Sequence, residues 1–62
     1  MRHYYMVNGT EFEVWRKHDD NSVEFLFSHS AKTVGEAFEN IEYVKHVFQG
    51  EFHYAKAFTD IQ

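Results

Sequence analysis

The sequence has no cysteine, no proline, a single leucine (Leu26) and only three glycines. Without cysteine the fold holds no disulfide and no thiolate metal site, as expected of a protein in a reducing cytoplasm. Without proline there is no polyproline segment and no stiff linker. One leucine counts against a leucine-rich bundle or coiled coil, whose seam repeats Leu or Ile. Gly9, Gly35 and Gly50 stand apart, so no glycine-rich phosphate loop forms. Positive charge is also scarce, at 6 Lys+Arg against 10 Asp+Glu. Arg16-Lys17 is the one basic dipeptide, and phosphate binding needs clustered cations, so direct nucleic-acid binding is disfavoured. No apolar run approaches the ~18 residues of a membrane span. The first residues, Met1 to Val7, lack the apolar stretch and small-residue cleavage site of a signal peptide.

What fills the gap is aromatic. Seven Phe, four Tyr and one Trp make up 19% of the 62 residues, so rings and valines must build the core. A chain of this length makes one domain, 1–62, and buries only about 60% of the surface its unfolded form exposes. Disulfides are excluded and a metal is disfavoured below, which leaves self-association as the expected extra support.

Along the chain, residues 3–7 are β-prone, and Asn8-Gly9 is a hairpin signal of the type I′ kind. Residues 10–17 alternate, with Phe12, Val14 and Arg16 on one face and Glu11, Glu13, Trp15 and Lys17 on the other. His18-Asp19-Asp20-Asn21 reads as a second turn. In residues 22–29 the same alternation puts Val23, Phe25 and Phe27 on one face and Glu24, Leu26 and Ser28 on the other. Thr33-x-x-Glu36 has the form of a capping box. Val34, Ala37, Phe38, Ile41, Val44 and Phe48 follow at helical spacing, and Gly50 is a stop signal. Residues 51–59 return to period two, with Phe52, Tyr54, Lys56 and Phe58 on one face. Ala55 and Ala57 lie on the other, a face closely approached by something. The expected fold is α+β: an antiparallel sheet in the order β-β-β-α-β with one helix on one face, the last strand at an edge or crossing to a partner subunit.

Catalytic and metal-binding sets do not assemble. His3, His18, His29, His46 and His53 form no His-x-His or His-x3-His spacing. No carboxylate pair sits isolated in apolar surroundings, and no base–nucleophile–orienter set emerges around Ser22, Ser28 or Ser30. The expectation is a non-enzymatic protein without metal or cofactor. Two features point instead to an interface. Glu36, Glu39 and Glu42 recur every third residue on the helix's outer side, an acidic stripe able to steer a basic partner or imitate a phosphate backbone. Trp15 and Leu26 look outward from neighbouring strands, and Tyr43 and Val47 lie off the helix stripe. One of Tyr4 and Tyr5 must also face outward. Clustered exposed rings mark binding surfaces.

The stretch from Phe12 to Phe58 also resembles small phage-encoded host-takeover and anti-defence proteins. It carries Phe12-x-Val14, a polar turn, Ala31-Lys32-Thr33-x-x-Glu36-Ala37 opening a helix, and Gly50-x-Phe52 starting a last strand. In length and element order it is similar to the T7-type phage inhibitor of host RNA polymerase and to some small anti-CRISPR proteins. The resemblance implies a protein that binds and inhibits or redirects a host protein in the host cytoplasm. Last-strand arginines matter in the polymerase inhibitor; this strand offers only Lys56, so no binding residue carries over. The Asp19-Asp20-Asn21 turn and the Thr33–Ile41 helix start look like HicB-type antitoxins, which place a proline-rich loop before the helix. Acidity and aromatic content are similar to phage inhibitors of uracil-DNA glycosylase. The leading expectation is an inhibitor or modulator of a host protein, dimeric, contacting it through Trp15, Leu26, Tyr43 and Val47 with Glu36, Glu39 and Glu42 steering a basic surface. The alternative is a binder of small nucleotide signals, sandwiched by aromatic and His side chains between two subunits.

Overall fold

The computed structural model describes residues 1–48 and 51–62. Gly50, read above as the helix stop signal, lies outside the described residues. The element order is β1 (Arg2–Asn8), β2 (Glu11–Lys17), β3 (Val23–Ser30), α1 (Val34–Val47) and β4 (Glu51–Tyr54), closed by a 3-10 turn at Phe58–Asp60. This is the expected α+β fold in β-β-β-α-β order.

The sheet runs β3-β2-β1-β4. It is mixed rather than antiparallel: β1 pairs antiparallel with β2 and β2 with β3, but β4 lies parallel to β1. The direction follows from connectivity. β1 and β3 are both antiparallel to β2 and so run the same way. Helix α1 carries the chain from the β3 edge to the outside of β1, and a crossover of that length delivers a parallel strand.

Each turn has its own chemistry. The β1–β2 loop is Gly9-Thr10, with Asn8 still paired to Glu11. Gly9 has φ +63° and Asn8 stays at negative φ, so the hairpin uses glycine at the first loop position, as a type II′ turn does, rather than the expected Asn-Gly pair. The second hairpin is closed by His18 N donating to the Ser22 carbonyl at 2.9 Å. Asn21 takes the left-handed conformation at φ 71°. A three-residue loop ending in such a residue is a common hairpin form, and Asn tolerates that conformation better than most residues. At the helix start Thr33 Oγ1 accepts from Glu36 N at 3.1 Å, the hydroxyl half of the capping box.

Strand β3 departs from plain alternation. Val14 pairs with Phe27 and Trp15 with Phe25, so Leu26 is an extra residue in a bulge. The bulge shifts the strand's facing by one. Val23 and Phe25 go to the face away from the helix, while Leu26 and Phe27 both pack against the helix-side core. Two clusters result. Phe12, Val14, Ala37, Ile41 and Val44 form the core between sheet and helix. Tyr4, Ala55 and Ile61 form a second core on the opposite face, joined by Met6, Trp15 and Val23.

The second core corrects the reading of residues 51–59 as one strand. Pairing stops at Tyr54. The chain then folds over the far face, held by Ala55 N donating to the Tyr5 carbonyl at 3.0 Å and Lys56 N to Asp60 Oδ2 at 2.8 Å. Ile61, fully buried, pins it down. Ala55 is the small residue closely approached, whereas Ala57 is exposed. Phe58 lies against Trp15 on this face instead of sharing the helix side with Phe52.

Candidate functional site

The proposed contact residues separate across the sheet. Trp15 and Leu26 do not share a face, because the bulge inserts Leu26 into the helix-side packing. Trp15 is half-buried on the other side, edge-on to Phe25 at 5.1 Å and tilted against Phe58 at 5.2 Å. Its Nε1 is buried and has no hydrogen-bond partner among the described residues. The C-terminal segment therefore covers much of the surface that plain alternation leaves bare. Tyr4 likewise points away from the helix yet is buried in the second core.

The helix keeps its exposed apolar side chains. Tyr43 is 70% exposed and Val47 56%. They sit one turn apart on the flank nearer β3, beside Asn40. Val34 and Phe38, expected in the core stripe, are about half exposed on the opposite flank. The reason is angular: Ala37, Ile41 and Val44 occupy the centre of the buried stripe, and Val34 and Phe38 lie at its margin. Glu39 and Glu42 are exposed between the two flanks, and Glu36 is half-buried at the first turn. Glu42 takes a hydrogen bond from Lys45 Nζ at 3.2 Å, which holds the lysine above its usual pKa and offsets part of the acidic stripe. The same ammonium stands 4.9 Å over the Tyr5 ring.

Between α1 and β3 runs a shallow groove of about 190 Å³ lined by Phe12, Phe27, His29, Asn40, Tyr43 and Val44. It joins Tyr43 to the edge strand, where Phe27 keeps the helix-side facing that alternation gives it and His29, two residues on, shares that face. Drug-sized ligand sites span roughly 300–1,000 Å³. This groove is smaller, and it is open.

One histidine is buried. His3 is 3% exposed, stacked on Phe52 at 4.9 Å and tilted against Phe48 at 5.4 Å. Its Nε2 accepts from Arg16 Nε at 3.2 Å, so the proton sits on Nδ1, which is buried without a partner among the described residues. Burial first, then the positive charges of Arg16 and the N-terminus, hold its pKa below the ordinary 6.5. At neutral pH it is a neutral packing residue that orients Arg16. Glu51 is held below the usual carboxylate range chiefly by its hydrogen bond with His53, at 3.2 Å. Asp20 is lowered by Ser22, which donates to Asp20 Oδ1 from its hydroxyl at 2.6 Å and its amide at 2.9 Å.

Among the described residues no group of three or more His, Asp or Glu could hold a metal ion. None of their helices is long and apolar enough to cross a membrane. No protein-family model matches this sequence, and neither a curated protein nor a solved structure matches it.

Proposed function

We propose that this chain is a small, non-enzymatic binding protein that inhibits or modulates a host protein, using the outward side of α1 as its contact surface. One observation carries the reading. Val34, Phe38, Tyr43 and Val47 all stand exposed on this single helix, with Glu39 and Glu42 between the two flanks. An apolar rim on both sides of a short acidic strip suits a partner with a basic patch bordered by apolar surface. Most of the other rings pack in the two cores, while Phe25, Tyr54 and Phe58 lie outside them and are also exposed. A phage or mobile-element origin and the host cytoplasm as its setting rest on the resemblance in element order.

The experiment is affinity capture from bacterial lysate with the wild-type chain, Phe38→Lys and a Glu39→Lys/Glu42→Lys double variant. These positions are solvent-facing, so the fold should survive substitution. The expected result is a defined protein retained by the wild type and lost from both variants. Capture that the variants retain in full, or no capture above background, contradicts the proposal.

A further inference from the structure

The β3 edge presents an unusual combination of exposure and facing. It is an outer strand of the sheet, eight residues long, reading Val23-Glu24-Phe25-Leu26-Phe27-Ser28-His29-Ser30. Edge strands are normally guarded by lysine, proline or covering chain. This one has neither residue, and one charge, Glu24. The opposite edge, β4, is only four residues long.

The bulge at Leu26 gives the strand a palindromic facing. Val23 and Phe25 point away from the helix, as do Ser28 and Ser30 beyond the bulge. Glu24, paired to Arg16, points to the helix side together with Leu26, Phe27 and His29. Residues directly opposite each other in an antiparallel ladder must share a face. A regular strand meets that condition with its own copy only when it pairs about a single residue. Across this bulge it is met in a different register: Leu26 opposite Phe27, Phe25 opposite Ser28, Glu24 opposite His29 and Val23 opposite Ser30.

We propose that β3 is a self-recognition edge, and that two copies of the chain join antiparallel in this register to make one continuous eight-stranded sheet. The occupant is a second copy because the register is self-complementary in facing along the whole strand and in polarity on its helix side. Leu26 and Phe27 of both copies meet at the dyad as an apolar centre, bordered on the helix side by Tyr43. At each end Glu24 meets the second copy's His29. Glu24 already lies 2.8 Å from His18 through Oε1, and the residue is exposed. A bulge ordinarily discourages edge pairing; in this strand it is also what makes the facing match. The contact is isologous and closes at two, so it does not propagate into a filament. It goes beyond the binding role of α1 and stands whether or not that reading holds.

The absence of cysteine makes the test direct. Single-cysteine chains are mixed in pairs under mild oxidation, Phe25→Cys with Ser28→Cys and Glu24→Cys with His29→Cys, alongside sedimentation of the wild type. Adjacent antiparallel pairs alternate between close and wide spacing, so one of the two combinations sits at the closer spacing of about 4.5 Å between Cα atoms. The expected result is a wild-type mass that doubles with concentration, and a linked dimer from a mixture but not from Ser28→Cys alone. Ser28→Lys, at an exposed position, should return the mass to one chain. A wild type that stays monomeric at all concentrations overturns the proposal. So does a dimer that neither cysteine mixture links, or one that Ser28→Lys leaves intact.

Discussion

Arg16 donates from Nε to Nε2 of His3 across the β1–β2 ladder at 3.2 Å, and this bond fixes the charge state of a buried ring. The imidazole must stay neutral to accept it. Protonation would break the bond and set two cations side by side among Phe48 and Phe52.

Acid should therefore weaken the fold through His3. Its folded pKa lies below the unfolded 6.5, so the unfolded chain binds the proton more readily. The contribution is fully present above about pH 6.5 and is lost as pH falls from there toward the lower folded value. Urea midpoints measured between pH 7.5 and pH 5 should fall. His3→Gln keeps a neutral acceptor and should flatten this dependence. An unchanged slope in the variant contradicts the assignment. Further acidification would also remove what Glu51 gains from His53 and Asp20 from Ser22, since both carboxylates are held below their ordinary values.

Leu26 separates side-chain packing from register. Leu26→Ala trims a half-buried side chain and should cost about 1–2 kcal/mol, below the range for fully buried leucines. Deleting Leu26 removes the bulge but leaves every other residue on its face, because Phe25 and Phe27 already lie on opposite faces and pair with Trp15 and Val14. The deletion should therefore leave the chain folded, at a cost similar to that of the alanine. Denaturant titration of both variants checks this; a deletion that unfolds the chain would mean that Leu26 is not the inserted residue.

Ile61 holds the C-terminal segment over Trp15, the only tryptophan. Ile61→Ala should cost about 2–5 kcal/mol of the segment's attachment. The emission of Trp15 should shift to the red as its cover loosens, while the far-ultraviolet signal of the sheet and helix persists. Emission unchanged from wild type would show that the segment does not depend on Ile61.

Much of this fold was legible in the residues. Alternation around Phe12 and Val14, turn chemistry at Gly9 and Asn21, and the Thr33 cap mark three strands and a helix within a residue or two of their ends. The failures were those of non-local structure. Period two continues past Tyr54 through Lys56 and Phe58, so local pattern extends the last strand; only Ile61, packing far from its neighbours in sequence, turns the chain aside. The parallel pairing of β4 depends on where α1 delivers it. The bulge leaves one trace, the three consecutive apolar residues Phe25-Leu26-Phe27, and reading through it by strict alternation placed Leu26 beside Trp15. Of the candidate surface, the exposure of Tyr43 and Val47 and of Glu39 and Glu42 followed from helical spacing. Helical spacing puts Phe38 in the core, but it lies at the margin of the stripe, where packing geometry decides, and it is half exposed.

The most direct test of the binding role is a chemical-shift map of the isotope-labelled chain with and without the protein it captures. The account predicts changes concentrated along Val34–Val47, strongest at Phe38, Glu39, Glu42 and Tyr43, with Trp15 and Ile61 unmoved. Changes confined to the Trp15 and Phe58 face, with the helix unperturbed, would contradict it.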